Sequence, residues 1–189
     1  MKPFFDFLHK STLIKSTFWN ITNIIPIMTS STTATPYSSH YERMSGNCTR
    51  LLAAQMISHV NPPITGSSYI LDNACGPGIV SEQIKLLYPE AKILATDLAP
   101  GMIEEVQSAI KTNRWGEMKT EILDVRDLAT LKDETFTHVI TNLGMPVPRD
   151  INSSPKIVSE MFRVLKRGGV AVMSTWAGNV KSSGCVYRC

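Results

Sequence analysis

The sequence predicts an α/β protein built on a doubly wound parallel sheet. Three observations carry this. The hydrophobic run Tyr69-Ile70-Leu71 ends in Asp72 and is followed by a glycine turn and an amphipathic segment. Further apolar runs at 91–97, 120–125, 136–143 and 170–174 are interleaved with segments of helical period. Alternation of this kind implies a parallel sheet with helices on both faces. The 189 residues, 43% of them hydrophobic, suit one domain with an ordinary core. Right-handed crossovers then put the ligand crevice at the carboxyl ends of the strands, beside the first one.

Residues 1–39 read as an N-terminal extension and linker, poorly ordered and dispensable for the fold, and 40–189 as the domain. The first 28 residues are apolar only in patches (Phe4-Phe5, Leu13-Ile14, Phe18-Trp19, Ile24-Ile25), broken by Lys10, Lys15 and Pro26. The stretch is too short and interrupted for a membrane helix and lacks the apolar core and cleavage site of a secretory signal. It is Ser/Thr-rich and acid-poor like a mitochondrial presequence but contains no Arg, and Met28 is an alternative start. Ser30 to Pro36 form a polar linker.

Thr49–Val60 has Leu52, Met56 and Val60 at helical spacing, and Pro62-Pro63 stops it. After Asp72 comes Asn-Ala-Cys-Gly-Pro-Gly, and a helix opens at Ile79 with Val80, Ile84, Leu87 and Tyr88 on one face. Glycines at 76 and 78 keep side chains away from the strand end and permit unusual backbone conformations. The following helix points free N–H groups at that place. Ser81 stands where a dinucleotide fingerprint would have its third glycine.

The run Ala91–Thr96 ends at Asp97, 19 residues beyond Gly78. An acid about 20 residues past such a turn takes ribose hydroxyls, because a carboxylate only accepts and a diol donates. A helix N-cap is the other reading of Asp97. Pro100 opens the next helix, with Met102, Val106 and Ile110 on one face. Asp124 closes the run from Thr120, and Asp127 reads as a turn or helix-start residue. Phe136–Asn142 is the next strand. The helix near Ile157 (Val158, Met161, Phe162, Leu165) leads to Lys166-Arg167-Gly168-Gly169 and the strand from Val170. Arg163, Lys166 and Arg167 suit a helix C-terminus, with Gly168 as the terminating residue.

These five segments, in this order and spacing, resemble the class I S-adenosylmethionine (SAM)-dependent methyltransferases over roughly residues 40–176. The small-molecule branch of quinone-type and fungal secondary-metabolite enzymes looks nearest, and His40–Gly46 resembles the element that closes over the cofactor there. The resemblance implies a Rossmann-like fold, SAM as cofactor and a small-molecule acceptor. It implies a cofactor site at Asp72, Ala74, Gly76, Gly78, Asp97, Leu98, Met102, Asp124, Val125 and Asn142. Asp124 would meet the adenine amino group, the Val125 amide a ring nitrogen, and Asn142 would lie beside the methyl donor. Thr141 and Met145 stand at the same end of the sheet. No catalytic base is identified.

The family's sheet has seven strands, and the segment after Trp176 is short and has little apolar alternation. The expectation is therefore a sheet lacking its last two strands, with a half-built acceptor wall, impaired turnover, and the strand from Val170 as an open edge inviting self-association or a partner. A SAM-binding relative without turnover is the runner-up. An NAD-dependent oxidoreductase comes third, disfavoured by Asp72 and Ala74 and by the long N-terminal lead.

A net charge of +3 with scattered basic residues gives no support for nucleic acid as a partner. Cys48, Cys75, Cys185 and Cys189 lack zinc spacing, and His9, His40, His59 and His138 form no cluster, so no metal is expected. Free thiols, no membrane segment and a cytoplasmic setting complete the reading.

Overall fold

The computed structural model describes residues 15–20, 48–144, 153–175 and 183–188. In chain order the elements are β1 (Lys15–Asn20), α1 (Cys48–His59), β2 (Tyr69–Asn73), α2 (Ile79–Leu87), β3 (Lys92–Asp97), α3 (Pro100–Asn113), β4 (Met118–Ile122), β5 (Phe136–Asn142), α4 (Ser153–Val164), β6 (Leu165–Thr175) and β7 (Ser183–Arg188). They form one seven-stranded sheet ordered β1-β7-β6-β5-β2-β3-β4. Strands β2 to β6 are mutually parallel wherever they pair. The chain runs outward from β2 through β3 to β4, then returns to β5 on the other side, so the order reverses between β2 and β5. A ligand crevice belongs at such a reversal.

Strand alternation sorts the core onto two faces. Ile70, Ile93, Ile140, Val170 and Val172 pack in one cluster with Leu52 and Met56 of α1, Val80 and Ile84 of α2, and Val106 of α3. Their neighbours Leu71, Leu94, Val139, Ala171 and Met173 pack in the other with Ile157, Val158, Met161 and Val164 of α4. The doubly wound Rossmann-like fold is therefore built as the alternating apolar runs require. Leu87, read as part of the buried face of α2, is 61% exposed; it is the last residue of the helix, where Tyr88 packs on the core instead.

Three expectations are corrected. First, the sheet does not end at its fifth parallel strand. β7 pairs antiparallel with β6, from Val170–Arg188 to Thr175–Ser183, and β1 pairs antiparallel with β7. The edge of β6 expected to be open is covered, because its backbone donors and acceptors are taken up by another strand. Second, Gly168 does not terminate α4, which ends at Val164, and β6 begins at once. Gly168 instead has φ +78° within a register irregularity against β5, and a Cβ on Gly169 would lie 2.8 Å from the Lys166 carbonyl oxygen. Third, Lys166 and Arg167 do not serve the helix end but lie in β6; Arg163 alone stands in the last turn of α4. It donates to the carbonyls of Leu131 (2.9 Å) and Leu128 (2.7 Å) and pairs with Glu160, which pins the segment before β5 onto α4.

One buried cation joins three segments. Lys85 of α2 is 2% exposed, and its Nζ donates to the carbonyls of Pro89 (2.9 Å), Ala91 (2.7 Å) and Gly116. Burial pulls its pKa down, yet the carbonyl dipoles replace the lost water. Lys85→Met keeps the stem and leaves those acceptors without their donor. The expected loss is on the order of 3 kcal/mol, read by urea unfolding with the wild-type slope retained; a loss within error of zero would show that water replaces the ammonium.

Candidate functional site

The end of β2 sets the chemistry. Asp72 is 1% exposed. Its Oδ2 accepts from the Ser81 amide (3.0 Å) and the Ser81 hydroxyl (2.6 Å), tying the strand end to the first turn of α2. Its Oδ1 has no hydrogen-bond partner. Burial pushes the carboxyl up to about 6; the two Ser81 bonds oppose this and Asp97 adds a smaller upward push. Ser81, read only as the missing third glycine, is thus the residue that holds the acid.

The turn after β2 is made of residues forced into left-handed conformations. Ala74 (φ 58°), Gly76 (φ 53°) and Gly78 (φ 88°) all have positive φ. A Cβ on Gly78 would lie 3.0 Å from Val106 Cγ2, so glycine there lets α3 approach the turn. Across the crevice Leu143 also has positive φ (56°). A Cβ on Gly144 would fall 2.5 Å from the Ala74 Cβ. The loops after β2 and β5 therefore touch at Ala74 and Gly144. Two non-glycine residues held at positive φ beside one cavity are strain of the kind that collects at ligand sites. Cys75 is buried between them; burial raises its thiol pKa well above the ordinary value, and Asp72 and Asp97 push the same way.

At the end of β3, Asp97 Oδ2 accepts from the Gly76 amide (2.8 Å) and Oδ1 from the Ala99 amide (2.9 Å). It is not the cap of α3, whose N-cap is Ala99 without a side-chain bond. Each oxygen of Asp97 keeps capacity for a further donor. At the end of β5, Asn142 donates to the Thr49 carbonyl (2.9 Å) and accepts from the Ser174 hydroxyl (2.8 Å), which in turn accepts from the Leu143 amide (2.9 Å). Asn142 thereby ties α1, β6 and the strained loop together.

One cavity of about 160 Å³ is lined by Thr49, Asp72, Ala74, Cys75, Gly76, Pro77, Ile79, Val80, Asp97, Met102, Asn142, Leu143 and Gly144. Six of the ten expected residues line it: Asp72, Ala74, Gly76, Asp97, Met102 and Asn142. Gly78 sits behind it as the N-cap of α2. Leu98 is 60% exposed outside it. Asp124 and Val125 do not line it either. Asp124 lies beyond β4 in a turn closed by the Asp127 amide and the Asp124 carbonyl (2.8 Å), with its carboxylate on Arg126. Val125 packs its side chain against the α4-side core. Asp127 is a turn residue, accepting from the Ala129 amide (3.2 Å). Thr141 is buried on the α4 side, donating to Met161 Sδ (3.7 Å), and does not reach the cavity. Met145 and His40–Gly46 lie outside the described residues. Thr49, Leu143 and Gly144 were not foreseen; Gly144, two residues past a strand end, was the one legible hint.

The methyltransferase domain family matches residues 70–169, from the first core residue of β2 to the glycine pair within β6. The chain belongs to that family. It is 34% identical over 129 residues to methyltransferase ucsB of an Acremonium species, covering 62% of this chain and 44% of that protein. It is 28% identical over 112 residues to the acetylaranotin bis-thiomethyltransferase of Aspergillus terreus, covering 57% and 35%. The chain thus spans less than half the length of these curated relatives. Among solved structures, a SAM-dependent methyltransferase of Methanosarcina mazei superposes with a TM-score of 0.55 at 20% identity over 61% of this chain and 56% of that one. That likeness is one of fold, and the fold is that of the class I methyltransferases.

Asp72 gives the site a pH signature. Its carboxyl titrates near 3.8 when unfolded and near 6 in the fold. Between those values the native state holds more protons, so this group's contribution falls as pH rises and is fully lost above about 6. A difference of that size corresponds to about 3 kcal/mol. Asp72→Asn keeps an oxygen for Ser81 and removes the titration. The stability difference, variant minus wild type, should grow in the variant's favour from pH 4 to pH 6.5 in urea unfolding; a flat difference would mean Asp72 is not held ionised in a buried place.

Proposed function

We propose that the chain binds SAM in this cavity and transfers its methyl group to a small-molecule acceptor. The observation that carries the reading is the bare, buried Asp72 Oδ1 at a cavity whose floor, Ala74-Cys75-Gly76, presents only small side chains. A buried carboxylate with an unfilled lone pair favours a cationic partner, and the methionine portion of SAM carries an ammonium and a sulfonium.

In this reading Asp72 attracts the cationic end, and Ala74, Gly76 and Gly78 let the ligand lie on the backbone at the N-terminus of α2. Asp97 accepts the ribose hydroxyls while holding the Gly76 amide. Met102 and Leu98 flank the nucleoside, Asp124 and Val125 meet the adenine edge, and Asn142 sits beside the transferring group. When bound, SAM supplies an activated methyl on a sulfonium that leaves as a thioether. The protein's part is then alignment and exclusion of water. Thr49, Asn142, Leu143 and Gly144 form the wall nearest the acceptor's approach. Relatives named for small-molecule methylation, the acetylaranotin enzyme among them, support an acceptor of that class and a role in secondary metabolism. No helix among the described residues is long and apolar enough to cross a membrane, and the free thiols of Cys48 and Cys75 suit a cytoplasmic setting.

The test is calorimetry with SAM, S-adenosylhomocysteine and NAD on one preparation. The first two should bind and NAD should not; preferential NAD binding would replace this reading with a nucleotide-dependent oxidoreductase. Asp97→Ala should weaken SAM binding by about tenfold to a few hundredfold, since it removes a ribose acceptor and frees the Gly76 amide together. Unchanged affinity in a folded variant would remove Asp97 from the site.

A further inference from the structure

We propose that Arg126 is a latch on the nucleoside end of the site: its guanidinium occupies the Asp124 carboxylate, which cannot take a ligand's amino group until Arg126 lets go. The inference deepens the SAM-binding reading and rests on it. Asp124 Oδ1 accepts from the Arg126 amide (2.8 Å) and Nε (2.9 Å). Asp124 Oδ2 accepts from Arg126 Nε (3.0 Å) and Nη2 (2.6 Å). A carboxylate has about four lone-pair sites, and three N–H groups of one residue, the Nε one shared between both oxygens, make four contacts that cover them. The Arg126 side chain holds the Asp124 carboxyl below its usual range.

Asp97 and Asp124 follow neighbouring parallel strands, yet only one is ready for a ligand. Asp97 accepts one backbone amide on each oxygen and keeps room for two more donors. Asp124 has both oxygens covered by one arginine. The cavity shows the same asymmetry, for its lining includes Asp97 and Met102 and stops short of Asp124 and Val125. The latch can open. The Arg126 and Asp124 side chains are 44% and 27% exposed, and an ion pair with that access to water is weak and screened by salt. The backbone bond from the Arg126 amide stays when the guanidinium leaves, so the turn survives and Oδ2 is freed. A ligand with an exocyclic amino group then replaces one donor with another, whereas a ligand without one leaves Asp124 to Arg126.

The test is a double-mutant cycle read by calorimetric affinity for S-adenosylhomocysteine, with Arg126→Met, Asp124→Asn and the double variant. Arg126→Met retains the side-chain stem at an exposed position. It should tighten binding by about two- to fivefold at low salt, and the advantage should shrink as salt rises. Arg126→Lys, which loses the fork but keeps the charge, should fall between. Asp124→Asn should weaken binding, and in that background Arg126→Met should no longer tighten it. Binding by the wild type that is unchanged or weakened in Arg126→Met overturns the latch and leaves the SAM reading standing. Tightening that persists in the Asp124→Asn background also overturns it, since the effect would not pass through Asp124. No binding by wild type or any variant overturns the SAM reading, and the latch with it.

Discussion

The structure depends on one buried carboxylate at the end of its central strand. Asp72 stands where β2 stops and α2 starts, and both Ser81 bonds go to the same oxygen. Those bonds fix where the helix begins relative to the sheet, and hence where its first N–H groups point. They also leave the second oxygen bare in a place without water-like partners. Filling that oxygen with an internal donor would stabilise the fold and close the cavity. The chain does neither, and the hydrophobic clusters on both faces of the sheet absorb the cost. An acid kept short of a partner at the point where strand order reverses is hard to explain as packing alone.

The strain around it follows from the same geometry. The loops after β2 and β5 meet so closely at Ala74 and Gly144 that a methyl group on the latter would overlap the former. Ala74 and Leu143 reach that meeting at positive φ, which L-residues hold only when the surroundings insist. What insists is a set of bonds at longer range. Cys75 is tied to the Thr96 carbonyl, Gly76 to Asp97, and Leu143 to Ser174. Asn142 adds the carbonyl of Thr49 in α1. The cavity wall is therefore assembled from β3, β6 and α1 as well as from the two loops that touch. A ligand seated there meets a surface already shaped, and little ordering remains to be done on binding.

Much of this was legible because it is written locally. Ile70 and Leu71, Ile93 and Leu94, Val139 and Ile140 alternate between two faces, and a period of two needs no knowledge of partners. The glycine turn and Asp97 were legible as neighbours at one cavity because a bare turn after one strand and an acid at the end of the next stand out by residue type alone. What failed to show depends on partners far away in sequence. Lys85 looks like a solvent-facing lysine on an amphipathic helix; only the arrival of Pro89, Ala91 and Gly116 around it makes it a buried tie. The pairing of Lys15 with Arg188 joins the two ends of the chain through short stretches that carry no strong alternation of their own. Gly168 misleads because a glycine near a helix end reads the same whether it ends the helix or bends the strand that follows. Asp124 is the instructive case, since its partner lies two residues away. The strand pattern draws attention to the acid, while Arg126 is in the sequence only one of the scattered basic residues.

Three adjacent parallel strands, β2, β3 and β4, thus deliver three aspartates to one end of the sheet, and the fold leaves each in a different state. Asp72 is desolvated and half-satisfied, so its charge is costly and a cation relieves it. Asp97 is bound to two amides and partly exposed, so each of its oxygens keeps room for a further donor with little rearrangement. Asp124 has both oxygens covered by the amide and guanidinium of Arg126, so a newcomer exchanges one interaction for another and gains only the difference. Affinity should therefore concentrate at the Asp72 end and discrimination at the Asp124 end. A group that binds by relieving a cost contributes its whole interaction, while a group that must displace an existing partner contributes only what it adds beyond that partner. The same side chain at the ends of neighbouring strands does different work because Ser81, Gly76 and Arg126 take up different numbers of its lone pairs.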